Sequence, residues 1–274
     1  VAEELMGVIL AAGKGTRMKS DLPKVLHHIA GAPMLVHAMK NGATLDPAKT
    51  IIVAGHGAEQ VSDAAKAFDE TADVVLQTEQ LGTAHAVAQA KEVLFDFEGD
   101  ALVLYGDTPF INPKTLEHMT AARADHDVVV LGFEAADPGR YGRLIMEGEH
   151  LKKIVEFKDA SDEERQITLC NSGVICARSA VLFDLIAAVG NDNASGEYYL
   201  TDIVEIAQRK GLNATSVTCN ESETLGVNSR VQLAEADAIF QSKARVALME
   251  AGVTLHAPDT VYLSHDTHIG PDTI

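Results

Sequence analysis

Basic residues are scarce in this chain. Its 274 residues carry 22 Lys and Arg against 40 Asp and Glu, a net charge of −18. A surface this acidic repels a polyanion, so no nucleic-acid partner is expected. A small phosphorylated ligand is still admitted, because a few local bases define its pocket. Cysteine is scarce too. Cys170, Cys176 and Cys219 form an odd set with no Cys-x-x-Cys pair, the pattern of buried thiols in a reducing, cytoplasmic setting. Cys170 and Cys176 are six apart, so one strand would turn both to the same face. No apolar run reaches the roughly 18 residues of a membrane-spanning helix, and no membrane partner is expected. The start, Val1-Ala2-Glu3-Glu4, is acidic where a signal peptide is basic. A first residue other than Met is what processing or trimming would leave. There is no Gly-x-Ser-x-Gly elbow. His27-His28 and His265-x-x-His268 lack a third ligand at metal-site spacing.

Apolar residues make up 46% of the chain, enough for a full core without disulfides or a structural metal. Short aliphatic runs at 6–10, 50–54, 73–77 and 101–105 read as buried strands. Between them, 34–45, 61–68 and 83–94 have helical spacing. This alternation predicts an α/β fold, a mostly parallel sheet with helices on both faces. The texture then changes. β-like runs at 127–133, 143–146, 151–157 and 169–177, with Gly148 as a hairpin turn, predict an antiparallel insert over 138–176 that walls one side of a pocket. Helices are expected at 179–189 and 201–210, a strand at 214–217 and a long helix at 229–251. Leu263 and Ile269 are six apart and Gly270 follows, the spacing of a first rung of a parallel β-helix.

The strongest motif is Leu10-Ala11-Ala12-Gly13-Lys14-Gly15-Thr16-Arg17-Met18, followed by Pro23-Lys24. Small residues after a strand let backbone N–H groups close around phosphates, and Arg17 and Lys24 add charge there. A dinucleotide fingerprint would need glycine at Met18 and an acid at Gly55-His56, and a Walker loop would end in Gly-Lys-Ser/Thr. Tyr105-Gly106-Asp107 ends a central strand. A carboxylate there suits magnesium against a triphosphate, but Asp also caps helices, and one begins near Pro113. In Gln77-Thr78-Glu79-Gln80-Leu81-Gly82-Thr83, the Gln77 amide could read a base edge, whereas Thr83 could simply cap a helix. Gly142, Glu156, Asn171 and Asn228 lie at turns among β-like runs. On position alone they read as turn or surface residues, with Glu156 an acceptor suited to sugar hydroxyls.

Taken together, these strings resemble the bacterial bifunctional N-acetylglucosamine-1-phosphate uridyltransferase/glucosamine-1-phosphate acetyltransferase family, from about Met6 to the end. Asp-Leu-Pro-Lys-Val-Leu-His, Gly-His-Gly, Tyr-Gly-Arg, Gly-Glu-Tyr-Tyr-Leu-Thr-Asp and Gly-Val-Asn follow in the same order. The resemblance implies a Rossmann-like nucleotidyltransferase fold. It implies a nucleotidyltransferase part at 1–228, a linker helix at 229–252 and the start of a truncated left-handed β-helix acetyltransferase domain at 253–274. It implies nucleotide contacts from Leu10, Ala11, Ala12, Gly13, Lys24, Gln77, Gly82 and Thr83. Sugar-phosphate contacts would come from Tyr105, Gly106, Asp107, Gly142, Glu156, Asn171 and Asn228. Arg17, Lys24 and Asp107 would be catalytic, and Asp107 with Asn228 would hold Mg²⁺. The implied substrates are UTP and N-acetylglucosamine-1-phosphate, and the products UDP-N-acetylglucosamine and pyrophosphate, for cell-wall and lipopolysaccharide precursors. The full-length family implies a homotrimer. With most of the β-helix missing, acetyl transfer is expected to be absent and trimerisation weakened. Ala84 stands where many relatives have Gly. A related transferase with another base or sugar, such as a glucose-1-phosphate thymidylyltransferase, is the nearest alternative. A non-catalytic nucleotide-sugar-binding subunit and a dinucleotide oxidoreductase are more distant ones.

Overall fold

In the computed structural model, which describes residues 4–274, the aliphatic runs become the centre of a large sheet. The acidic start at residues 1–3 lies outside the described residues. The chain opens with β1 (Leu5–Ala11), a tight turn at Thr16–Met18 and another at Lys24–Leu26, then the small hairpin β2 (His28–Ile29) and β3 (Ala32–Pro33). Next come α1 (Met34–Ala43), β4 (Lys49–Ala54), α2 (Ala58–Phe68), β5 (Asp73–Leu76), α3 (Thr83–Ala88), β6 (Asp100–Tyr105), α4 (Pro113–Arg123) and β7 (Val128–Glu134). The hairpin β8 (Arg143–Glu147) and β9 (His150–Val155) follows, then α5 (Asp162–Arg165), β10 (Leu169–Arg178), α6 (Ser179–Ile186), α7 (Asp202–Arg209), β11 (Ala214–Cys219) and α8 (Arg230–Glu250).

The main sheet runs β11-β7-β10-β6-β1-β4-β5. β4, β1 and β6 are parallel neighbours, β5 is parallel to β4, and β11 to β7. Both faces of the central strands are buried, which is why they read as continuous apolar runs. Val8, Leu10, Ile51, Val53 and Val103 pack on the side of α3, α6 and α7. Ile9, Ala11, Ile52, Ala54, Leu102 and Leu104 pack on the side of α1, α2 and α4. Each of the Val, Leu and Ile side chains among these contributes about 1.5–3 kcal/mol when taken out of water. From β1 the chain crosses through α1 to β4 on one side, while β6 lies on the other. The crevice between departing connections therefore opens at the carboxyl ends of β1 and β6.

The insert differs from expectation in one respect. β8 and β9 form the antiparallel hairpin, but β10 leaves it and slots between β6 and β7, antiparallel to both. Its register shifts by two residues between Asn171 and Ile175. That bulge bends the strand, so its first half reaches β8 through Cys170 and Arg143 while its second half joins the main sheet. An extra pair of residues preserves the alternation of faces. Cys170 and Cys176 therefore still point the same way, opposite Phe133 and Val129, and both are fully buried. Cys219 is only half-buried.

α8 buries only Ala236 and Gln241 completely. Its Leu233 and Phe240 cover Ile29, Ala30 and Met34 at the small hairpin. The Gln241 side chain clasps the tail in both directions, donating to the Leu263 carbonyl and accepting from its N–H, each at 2.7 Å. Among the described residues, 253–274 contain one tight turn at Pro258–Thr260 and no strand. The β-helix rung expected from the spacing of Leu263 and Ile269 is therefore not seen as a strand.

Candidate active site

Two backbone contacts gather the sheet's carboxyl edge into a cleft. The Gly106 N–H donates to the Leu10 carbonyl at 3.0 Å, and the Val227 N–H donates to the Asp107 carbonyl at 3.0 Å. Leu10, Ala11, Ala12 and Gly13 line this cleft together with Lys24, Gln77, Gly82, Thr83, Tyr105 and Asp107. The glycine loop can turn over Lys24 because Gly15 adopts a φ of +59°, and a Cβ there would stand 2.5 Å from the Lys24 Cβ.

Lys24 is the electrostatic centre. Its ammonium donates to the Asp107 carboxylate and, at 2.9 Å, to the Asn228 Oδ1. Both charged side chains are largely shielded from water, at 13% and 20% exposure. The sequence pointed Lys24 toward phosphates; in the structure its ammonium rests on the two side-chain oxygens that the family resemblance implies for the metal. This bears on magnesium. Asp107 and Asn228 present one carboxylate and one amide oxygen already converged on a single cation. Mg²⁺ takes one or two protein oxygens and completes its shell with water and substrate phosphates, so this pair fits it. Among the described residues, no group of three or more His, Cys, Asp or Glu is arranged to hold a metal. Asp107 is not a helix cap. Asn112 caps α4, accepting from the Lys114 N–H at 3.0 Å.

A second cluster shapes the other wall. Gly82 sits at φ +122° against residue 198, and its Cβ would fall 2.5 Å from the Tyr198 carbonyl oxygen. The Tyr198 N–H donates to the Leu81 carbonyl at 2.8 Å, and the Ala84 N–H to the Tyr198 carbonyl at 2.9 Å. Thr83 is not the cap of α3. Its hydroxyl accepts from the Leu200 N–H at 3.0 Å, tying the same two segments. The Gly-Glu-Tyr-Tyr-Leu-Thr-Asp string thus clamps the Gly-Thr turn, and Glu197 from that string lines the cleft. Gln80, given no role from sequence, also lines it and donates from Nε2 to the Ala12 carbonyl at 2.6 Å. Its signal was its place in the same string as Gln77 and Gly82.

The remaining polar residues meet at the mouth of the insert. The Asn171 N–H donates to the Gly142 carbonyl at 2.9 Å. A Cβ on Gly142 would lie 3.5 Å from the Glu156 Oε1. The Thr201 hydroxyl donates to that Glu156 oxygen at 3.1 Å. Burial pushes the Glu156 carboxyl above the usual carboxylate range, reinforced by Asp202 and Asp159 and opposed by the Thr201 hydrogen bond. Tyr105 joins the two regions, its ring standing against Gly173. Burial, with Asp107 and Glu156 nearby, holds its phenol protonated well above the ordinary range. Arg17 stands apart: it is exposed on its loop, with no hydrogen bond or ion pair among the described residues. Burial pushes the Cys176 and Cys219 thiols up to about 12, so neither offers a thiolate nucleophile near neutrality.

Over 263 residues the chain is 68% identical to the bifunctional protein GlmU of Ruegeria pomeroyi and 65% identical to that of Cereibacter sphaeroides. These alignments cover 96% of this chain and 58% of each relative, so the chain spans little more than half the length of the curated relatives it matches. A solved UDP-glucose pyrophosphorylase complexed with UDP-glucose shares the fold, with a TM-score of 0.71 over 88% of this chain and 99% of that one at 20% identity. The family model of the MobA-like NTP transferase domain matches residues 7–169, more than half of the chain and the stretch that holds the glycine loop, Lys24, Gln77 and Asp107. The chain belongs to that family.

Proposed function

We propose that this chain transfers the uridylyl group of UTP to N-acetylglucosamine-1-phosphate, releasing pyrophosphate and forming UDP-N-acetylglucosamine, with Mg²⁺ as cofactor. The observation that carries this reading is the convergence of Lys24, Asp107 and Asn228 beside a cleft lined by the glycine loop, Gln77 and Gly82. The identity to the GlmU relatives supports the substrate pair.

A phosphate oxygen of the sugar attacks the α-phosphorus of UTP in line. The new P–O bond forms as the bond to the bridging oxygen breaks, and pyrophosphate leaves with that electron pair. The nucleophile is already an anion, so no side-chain base is required, and catalysis rests on positioning and neutralisation. When bound, Mg²⁺ would be held by Asp107 and Asn228 and would supply positive charge to the phosphates of both substrates. Lys24, released from those two side chains, would carry charge on the α-phosphate and the departing pyrophosphate, with Arg17 reaching in from the loop. Backbone N–H groups of residues 11–13 would cradle the phosphates, while Gln77, Gly82 and Thr83 hold the uracil. Gly142, Glu156, Asn171, Tyr105 and Gly106 would hold the acetylated sugar.

The same reading divides the chain into a nucleotidyltransferase part at 1–228, a linker helix at 229–252 and the start of a left-handed β-helix at 253–274. Acetyl transfer and the trimer contacts are assigned to the β-helix domain. The free thiols, those of Cys170 and Cys176 buried and that of Cys219 half-buried, fit a reducing cytoplasm. No described helix is long and apolar enough to cross a membrane.

The test is pyrophosphate release from UTP and N-acetylglucosamine-1-phosphate, with and without Mg²⁺, against other nucleoside triphosphates, glucose-1-phosphate and glucosamine-1-phosphate. Magnesium-dependent release largely confined to the first pair is expected. Release with a different pair would move the substrate assignment and keep the mechanism. No release from folded protein with any pair would favour a nucleotide-sugar-binding subunit.

A further inference from the structure

The Gln77 amide is held so firmly that its two ends have different fates. Its Nε2 lies 3.1 Å from the Gly82 carbonyl oxygen and 3.0 Å from the His85 Nδ1. A carbonyl oxygen can only accept, so the Gly82 contact fixes which end of the amide is nitrogen. One amide hydrogen goes to Gly82. The other points at His85, whose Nδ1 must then carry a lone pair, with the ring proton on Nε2.

A competing contact exists on the far side of the ring. Gln89 Nε2 lies 3.3 Å from His85 Nε2. That amide already donates to the His85 carbonyl at 2.9 Å, and both residues are half-buried, so water can serve what is left over. Gln77 is buried, at 5% exposure, and has no such outlet. The cost of an unmet hydrogen falls on the buried amide, so the tautomer that serves Gln77 prevails.

With both hydrogens committed, Gln77 can offer the cleft only its Oε1, an acceptor. An acceptor set against the N3 position of a pyrimidine favours the imide N–H of uracil and opposes cytosine, whose N3 is itself an acceptor. We propose that His85 is a positioning residue for base selection: by absorbing the second Gln77 hydrogen it keeps a donor out of the base-reading position. The proposal rests on the nucleotidyltransferase reading above and adds to it a residue outside the cleft lining.

The experiment compares kcat/KM for UTP and CTP in wild type, His85→Phe, His85→Asn and Gln77→Ala. His85→Phe removes the acceptor and should lower the UTP-to-CTP ratio about tenfold, the worth of one hydrogen bond, mainly through KM for UTP. His85→Asn restores an acceptor near the Nδ1 position and should keep the ratio within about threefold of wild type. A merely structural role for His85 would lower both activities together and leave the ratio unchanged, and that result in folded His85→Phe overturns the proposal. Equal loss of the ratio in His85→Asn and His85→Phe overturns it as well. Gln77→Ala separates the two levels of argument. If its ratio is also unchanged, base reading by Gln77 is wrong; if its ratio collapses while that of His85→Phe does not, only the His85 proposal fails. Nitrogen-15 NMR of the wild-type ring provides a readout independent of turnover. An unprotonated Nδ1 and a protonated Nε2 are expected, and the reverse tautomer excludes the arrangement.

Discussion

The Lys24 ammonium rests on the Asp107 and Asn228 oxygens that a divalent ion would need. Two cations cannot share them, so under the proposed function Lys24 would have to move aside for the metal. Lys24→Ala should therefore bind Mn²⁺ several-fold more tightly than wild type when no nucleotide is present, because a competing positive charge has gone. Turnover of the same variant should fall on the order of 10²–10³-fold, since the charge facing the phosphates is lost too. Calorimetric titration with Mn²⁺ and steady-state rates give the two values; unchanged metal affinity would remove the competition between the cations. Glu156 supports a second expectation. Its raised pKa means that it takes up a proton at a higher pH than an ordinary carboxylate, and a protonated Glu156 is a poorer acceptor for a sugar hydroxyl. The folded state binds that proton more tightly than the unfolded chain, so this group costs stability as pH rises from the ordinary carboxylate value through the raised one. Thr201→Val removes the hydrogen bond that pulls the pKa down. The acid limb of the KM profile for the sugar phosphate should then move toward neutrality. An unmoved limb would exclude Glu156 as the titrating group. The motif strings made the cleft residues legible. The His85 contact could not be read there, because a ring gains its role only from the partner it meets.

At the scale of elements, the Gly-Thr turn depends on a segment more than a hundred positions away. Gly82 combines a left-handed φ with close approach to the Tyr198 carbonyl, and residues 198–200 grip both sides of the turn. Gly82→Ala should cost about 1–3 kcal/mol from the backbone conformation alone, with more for the displaced carbonyl. It should also weaken UTP binding, because the Gly82 carbonyl in that turn accepts from the Gln77 amide and holds it in place. Urea unfolding and nucleotide titration would read both. A variant as stable as wild type would mean that the clamp yields freely. β1, β4 and β6 were legible because strands buried on both faces leave unbroken apolar runs. α3 was not legible in length. It ends at Ala88 instead of running to 94, because the chain tightens there, with the Ala90 and Lys91 N–H groups reaching back only three residues. Thr83 was equally open to a capping role on local chemistry, and only its long-range bond to Leu200 decides the matter.

For the whole molecule, the alternation of strands and helices conveyed the α/β class and the insert, but not the slot that β10 takes between β6 and β7. Strand order is a long-range property, and the two-residue bulge that redirects β10 leaves no periodic trace because it preserves which side chains are buried. Net charge, by contrast, is fully legible and has a consequence for the folded state. Acids outnumber bases 40 to 22. Several of the ion pairs are exposed ones, such as Lys152 with Glu147 and Arg209 with Glu205, which contribute little each. Uncompensated carboxylates therefore repel one another across a compact surface, and the unfolded chain relieves that repulsion by spreading them apart. At low salt the Debye length is tens of ångströms and the repulsion acts over the whole molecule; at a few tenths molar it is screened within about 10 Å. Raising NaCl from about 20 mM to about 300 mM without divalent ions should raise Tm by about 2–4 °C, which corresponds to roughly 1 kcal/mol for a chain of this size. Differential scanning calorimetry gives the shift directly. A fall in Tm would mean that attractive pairs outweigh the excess of acids, and the balance would then have to be sought in exposed pairs such as Lys152–Glu147 and Arg209–Glu205, which salt screens, and not in the shielded pairs Lys24–Asp107 and Arg123–Asp100, which salt reaches least.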